Sequence, residues 1–374
     1  CTLAGVDFGF SLLWAMLLSI IATYVLQEMS ARLGIITQKG LADVIKQELH
    51  NPWIRNSVIA LIFSAIIIGN ASYEAGNIGG ATLGMEALFG LTYSNFYPIS
   101  LGLSAFLLLY FGSYKALEKV FIFLVLIMSL SFIMTAVLTQ PNLWQLIKGL
   151  FVPSIPEGGI LTIIALVGTT VVPYNLFLHA ALVSEKWKSE KDLKFAKRDT
   201  LIAIILGGLV SISIIISAAA IKSTEVKNVL DMAKALEPLY GTAALYFMGI
   251  GLLAAGITSA ITAPLAAAYV ANSCFGWKAE FKDAKFRAIW IMILVLGVVF
   301  LSFGIKPIEI IKFAQITNGL LLPIIAIFLL WVVNRVGVMG KYKNTLFQNC
   351  IGLAIILLSI LLGVKSILTV LGIF

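Results

Sequence analysis

Apolar residues run along this chain in long blocks separated by short polar stretches. Ten blocks stand out, at about 9–31, 56–84, 97–112, 117–138, 159–183, 200–221, 238–274, 286–303, 310–333 and 346–371. A run of about 20 apolar residues is what an α-helix needs to cross the hydrocarbon of a bilayer. Membrane strands would instead alternate polar and apolar residues over about ten positions. A helix also satisfies its own backbone hydrogen bonds, which lipid cannot do. The pattern therefore predicts an all-α polytopic membrane protein, with residues 1–374 forming a single transmembrane domain.

Composition narrows the class. Of the 374 residues, 60% are hydrophobic and 12% are charged, where a soluble domain carries about 25% charged residues. Mean hydropathy is +1.02. A soluble fold of this size needs a more polar exterior, so an ordinary soluble enzyme, a nucleic-acid-binding domain and a disordered chain are excluded. The net charge of +8 fits loops facing anionic lipid rather than nucleic acid. Of the 26 Lys and Arg residues, 19 fall in segments that follow the odd-numbered blocks and 7 fall on the other side. The positive-inside rule puts the larger set in the cytoplasm. The first block then enters from outside. One further helix before Cys1 would return the N-terminus to the cytoplasm and give eleven spans, with an external C-terminus. The expected location is the cell (plasma or inner) membrane. The segment 184–199 is the most charged and is expected to be a solvated linker with an amphipathic helix. Cys1, Cys274 and Cys350 are too scattered for a disulfide framework.

Candidate chemistry sits where the apolar blocks are interrupted. A regular helix hides its carbonyls, whereas a broken one offers them to a ligand at mid-membrane. The block 159–183 carries such an interruption. Pro173 has no N–H to give; Gly168, Thr169 and Thr170 lie one turn before it. Tyr174 and Asn175 follow, and His179 is one turn beyond Asn175. Glu74 lies in mid-block, flanked by Asn70, Tyr73 and Asn77. A carboxylate inside a membrane is expensive and is a functional candidate by default. Glu28 and Arg32 are four residues apart, the spacing of a local helical ion pair. Gly76, Gly79, Gly80 and Gly84, with Gly249, Gly251 and Gly256, predict close helix packing. No HExxH, GxSxG or Cys/His ligand cluster is present, so the chain is not expected to be an enzyme, and no bound cofactor is expected.

The string GTTVVPYNLFLHAALV resembles the sixth-helix signature of the NRAMP family of proton-coupled divalent-metal transporters. The segments 4–45 and 313–323 resemble the family's first-to-second-helix region and the start of its tenth helix. The resemblance spans residues 4 to 371 and implies a five-plus-five inverted-repeat transporter fold. On that reading 1–138 is the remainder of the first repeat, 139–158 an external linker, 159–333 the second repeat and 346–371 an additional C-terminal helix. The family's first-helix Asp-Pro-Gly-Asn break would lie before Cys1.

The resemblance also implies roles. Thr169 stands where a backbone carbonyl binds metal. Val172 stands where the family has a Met ligand, and Tyr174 where it has His. Asn175 and His179 match the pattern. Gln315 matches a tenth-helix residue that approaches the metal, and Asn318 is one turn further on. Thr169, Val172, Tyr174, Asn175, Gln315 and Asn318 are thus the substrate-site candidates, with Thr169 (carbonyl) and Gln315 as the metal ligands and Gly168 and Pro173 as the break. Glu74, His179 and Asn70 are the proton-path candidates. A thioether favours softer metals and oxygen donors favour harder ones. Losing the Met therefore points from manganese or iron toward harder cations such as magnesium. The expected function is secondary active transport of a divalent cation, with protons and the bilayer as the other partners. An amino-acid or other small-solute carrier on the same scaffold, or a degenerate member, is the alternative.

Overall fold

The computed structural model describes residues 1–111, 115–221, 228–277, 279–303 and 306–370; Lys222, Lys227 and Lys278 of the charge pattern lie outside them. Among the described residues there is no strand, and ten helical segments are long and apolar enough to cross a membrane. In chain order the helices are α1 (Thr2–Phe8), α2 (Leu13–Thr37), α3 (Leu41–Glu48), α4 (Pro52–Phe89), α5 (Tyr97–Phe111), α6 (Lys115–Leu138), α7 (Leu143–Phe151), α8 (Ile160–Thr170) and α9 (Pro173–Lys186). They continue with α10 (Leu193–Ala219), α11 (Val229–Ala233), α12 (Glu237–Tyr240), α13 (Ala244–Phe275), α14 (Ala284–Ser302), α15 (Pro307–Val333), α16 (Val336–Met339) and α17 (Leu346–Val370).

Several boundaries move from the expected ones, each for a local reason. The first span reaches Thr37 rather than 31, which puts Glu28 and Arg32 within α2. The second grows from 56–84 to the 38 residues of α4. Asn51 caps it by accepting from the Trp53 and Ile54 amides, Pro52 opens its first turn, and Gly90 at φ 81° ends it. The charged stretch 184–199 is mostly helix end rather than linker. It takes in the end of α9, a 3₁₀ turn at Glu190–Asp192 with a Ser189/Asp192 capping box, and the start of α10. The span expected over 238–274 begins at Ala244, with α11, α12 and 3₁₀ turns before it.

Small residues set the helix spacing. Gly84 and Gly249 bring α4 and α13 together so closely that a Cβ on Gly84 would lie 2.6 Å from the Gly249 carbonyl oxygen. Ala81 of α4 sits against Gly256 of α13 in the same seam. With lipid outside, close backbone contact replaces the hydrophobic drive that assembles soluble bundles. The long side chains Leu103, Leu107, Phe123, Leu126 and Leu130 remain exposed on α5 and α6, the faces a bilayer would cover.

Candidate functional site

The block expected to break does so. α8 ends at Thr170, Val171 and Val172 are non-helical, and α9 starts at Pro173. Pro173 cannot donate to the Thr169 carbonyl four residues back. The Asn175 amide donates to the Val172 carbonyl at 3.0 Å instead of reaching back to Val171. Two carbonyls, those of Thr169 and Val171, are thereby released from the regular helical pattern inside the bundle.

α15 crosses α8 at this level. A Cβ on Gly168 would collide with the Gln315 backbone carbonyl, so glycine is what lets the two backbones touch. Gly319 gives the same clearance against Ile164. The crossing delivers the Gln315 side chain to the break, where its Nε2 donates to the Thr169 Oγ1 at 3.1 Å. The amide oxygen of Gln315, the harder of its two ends, is not used in that bond. Tyr73 of α4 lies near the same Thr169 side chain. Its ring meets Tyr174 edge to face, with centroids 5.8 Å apart. Thr169, Gln315, Tyr73 and Tyr174 thus form one polar cluster at the break.

A second group lies beside it on α4. Glu74 is fully buried; Asn77 donates to its Oε2 at 3.3 Å, while its Oε1 has no protein hydrogen-bond partner. It packs against Gly297 of α14. Asn70, one turn before Glu74, is also fully buried, and neither of its amide atoms has a protein partner. Asn318 of α15 is 1% exposed, with its Nδ2 unpartnered and its Oδ1 against Gly69. Three buried polar side chains are therefore short of hydrogen bonds along the α4–α14 and α4–α15 contacts. Native interiors rarely leave such groups unmatched without a bound water, ion or chemical role.

The other sequence candidates lie outside this hydrogen-bonded cluster. Val172 is buried in the core and offers no donor atom. Asn175 is half-buried on α9. His179 faces α10, where its Nε2 is 3.1 Å from the Thr200 Oγ1, so it is not shown in the Thr169–Gln315 cluster. Among the described residues no three His, Cys, Asp or Glu side chains converge as a metal cage. A cation at the break would rest on carbonyl and amide oxygens from within this chain.

Cavities approach the break from both ends. One of about 420 Å³ is lined by Asp7, Gly158, Thr162, Glu309, Lys312 and Gln315, so it runs to the cluster from the α15 N-terminal end. Another of about 290 Å³ is lined by Gln38, Asp43, Phe177, Ser184, Glu185 and Ser273, from the opposite end. Phe177 is one turn beyond Tyr174 on α9. Asp43 lies outside the spans, and burial pushes its carboxyl above the usual range, opposed by hydrogen bonding to Ser273 and to the Gly40 backbone.

One centre was not legible as such. Glu28 and Arg32 do pair, at 3.1 Å, but the pair is not merely local. Lys197 of α10 reaches the other Glu28 oxygen at 2.7 Å, and Arg32 also donates to Asn344 at 2.6 Å and to the Tyr342 carbonyl. The distant partners of the pair lie about 170 to 310 positions away in sequence, beyond the range of any local spacing rule.

Known proteins match this architecture. A divalent metal cation transporter, MntH, of Klebsiella pneumoniae is 27% identical over 367 residues, 94% of this chain and 85% of its own. MntH of Yersinia pestis is 29% identical over 277 residues, 70% of this chain; the match spans 65% of that relative's length. A manganese transporter of Eremococcus coleocola superposes with a TM-score of 0.80 at 21% identity, covering 98% of this chain and 82% of that one. Mhp1, a nucleobase–cation-symport-1 family transporter, superposes at a TM-score of 0.58 and 16% identity, covering 99% and 88%. These structures share the five-plus-five inverted-repeat fold. The profile of the natural resistance-associated macrophage protein-like family matches residues 1–369, and the chain belongs to that family, Nramp.

Proposed function

We propose that the protein is a secondary active transporter of divalent metal cations that works by alternating access. The observation that carries this reading is the break at Val171–Val172, with the Thr169 carbonyl released by Pro173 and Gln315 of α15 bonded to the Thr169 hydroxyl beside it. The named activities of the MntH relatives and of the manganese transporter support the substrate class. The metal ligands within this sequence are the Thr169 carbonyl and the Gln315 amide oxygen. Tyr174, Asn175 and Asn318 line the site. Val172 gives no sulfur, so the site discriminates weakly in favour of soft cations and accepts harder ones such as Mg²⁺.

Glu74, with one oxygen unpartnered and Asn70 one turn away, is the proton carrier of this mechanism. His179, set against Thr200, relays protons on the far side of α9. The two end cavities are the entry and exit halves of the path, and the Tyr73–Tyr174 pair lies between them.

Purified full-length protein in proteoliposomes, loaded with a fluorescent divalent-cation indicator, tests the proposal. Uptake of Mn²⁺ and Mg²⁺, with an inward acid gradient accelerating it, is the expected result. Absence of Mn²⁺, Cd²⁺ and Mg²⁺ uptake overturns it, and uptake of an amino acid instead would assign the same scaffold to a solute. The Val172→Met substitution should raise the preference for Cd²⁺ over Mg²⁺.

A further inference from the structure

We infer that Glu28, Arg32 and Lys197, with the turn at 340–344, form a latch that holds α2, α9 and α10 together as one body and ties that body to α15 and α17. The inference rests on the transporter reading for its purpose, though its geometry stands apart from the metal site.

Glu28 and Arg32 are almost fully removed from solvent, with 7% and 4% of their side chains exposed. Lys197 is 37% exposed and closes the pair from α10 at 2.7 Å. Arg32 then spends its fork on the turn that follows α16. It donates to the Tyr342 carbonyl, and at 2.6 Å to the Asn344 Oδ1. Asn344 passes the connection on, donating to Asn349 Oδ1 of α17 at 2.9 Å, while Asn349 donates to Asn334 Oδ1 at the end of α15 at 2.8 Å. On the outer side of the same turn the Tyr342 hydroxyl donates to Glu190, 2.8 Å away in the turn before α10.

α9, which starts at the break, is fixed into the same body. The Ser30 hydroxyl of α2 donates to the Leu176 carbonyl of α9. One turn further along, Gly34 lets α2 press onto the Ala180 backbone, where any Cβ would collide with that carbonyl. Ala31, Ile35, Val183, Leu193 and Ala196 fill the space between α2, α9 and α10. The helix that carries Tyr174 and Phe177 therefore cannot move without α2 and α10, and those are held to α15 and α17 through Arg32.

A planar guanidinium with several fixed bonds is a geometric clamp rather than a diffuse charge. Buried charge pairs add little net stability over apolar packing but cost heavily when one partner is lost. Such a centre is suited to a two-position contact, made in one state and exchanged for water in the other. The cavity bounded by Phe177, Ser184 and Ser273 lies between this body and α13. Release of the latch from the turn at 340–344 lets α2, α9 and α10 swing as one body and widen that cavity, while the cavity at Gln315 narrows.

The test is paired labelling by a membrane-impermeant maleimide on the full-length protein, with Cys1, Cys274 and Cys350 replaced. One reporter, Ser184→Cys, lies on α9 in the cavity at the latch end. The other, Thr162→Cys, lies on α8 in the cavity that reaches Gln315. Lys197→Met and Asn344→Ala each loosen the latch while leaving Glu28 and Arg32 paired. They serve where Glu28→Gln fails to fold. Labelling of Ser184→Cys should rise at least about fivefold, and that of Thr162→Cys should fall. Unchanged rates overturn the inference. A rise at both positions also overturns it, because it would mean general loosening. No metal is needed, so reciprocal labelling beside failed uptake would sink the transport reading and leave the latch standing.

Discussion

Glu28 and Glu74 are both carboxylates buried among helices, yet their surroundings are opposite. Glu28 has a cation on each oxygen, Arg32 at 3.1 Å and Lys197 at 2.7 Å. Glu74 has one amide contact at 3.3 Å and an oxygen with no protein partner. The first has a counter-charge at each oxygen, although its Oε1 meets Lys197 as an ion pair without a well-formed hydrogen bond and the Arg32 Nε has no protein partner. The second sits beside Asn70 and Asn318, which are also short of partners. Burial alone does not mark a functional carboxylate. A carboxylate that the fold neutralises in place has a structural or switching task. One that the fold leaves incomplete has room for a proton, a water or an ion.

The largest predicted contrast comes from neutralising each acid in turn. Glu28→Gln leaves Arg32 buried without its counter-charge, and should cost about 3–5 kcal/mol in a detergent unfolding assay. Equal melting temperatures for the Glu28→Gln variant and the parent would break the comparison. Next is Gly168→Ala, whose new Cβ runs into the Gln315 carbonyl. It should cost about 1–3 kcal/mol and also reduce cation uptake by separating α8 from α15. Normal uptake with a stable fold would show that this crossing does not position the site. Gln315→Ala removes one proposed ligand without opening the crossing. It should weaken cation affinity about tenfold, or about 1.4 kcal/mol, with melting temperature nearly unchanged. The smallest effect on stability belongs to Glu74→Gln, within about 1 kcal/mol of the parent, since no ion pair is lost. Its signature is functional: uptake should lose its dependence on an acid gradient. A stability loss as large as that of Glu28→Gln would erase the distinction between the two acids.

Much of this was legible from residue order, for definite reasons. Lipid forces helices to be continuous and apolar, so the ten spans show in hydropathy. Proline has no N–H, so the break at Pro173 shows in one residue. Glu74 shows because a charge in an apolar run has no cheap explanation. The latch did not show. Lys197 reads as one more loop cation, and α10 begins four residues before it only because Ser189 and Asp192 cap the preceding turn. Arg32 reads as the i+4 partner of Glu28, which it is, while its bonds to residues 342 and 344 depend on how the chain closes some 310 residues later. The Gln315–Thr169 contact likewise depends on two glycines, Gly168 and Gly319, meeting across helices. Resemblance placed Gln315 near the site, but the bond to Thr169 is a product of packing.

The central claim is that the break around Thr169 and Gln315 binds a divalent cation. Direct titration of the full-length protein with Mn²⁺, followed by the loss of the free-ion electron paramagnetic resonance signal, tests it. Saturable binding that Mg²⁺ displaces, and that weakens about tenfold in the Gln315→Ala variant, is the predicted result. Binding that is absent, or equal in the parent and the Gln315→Ala variant, would contradict it.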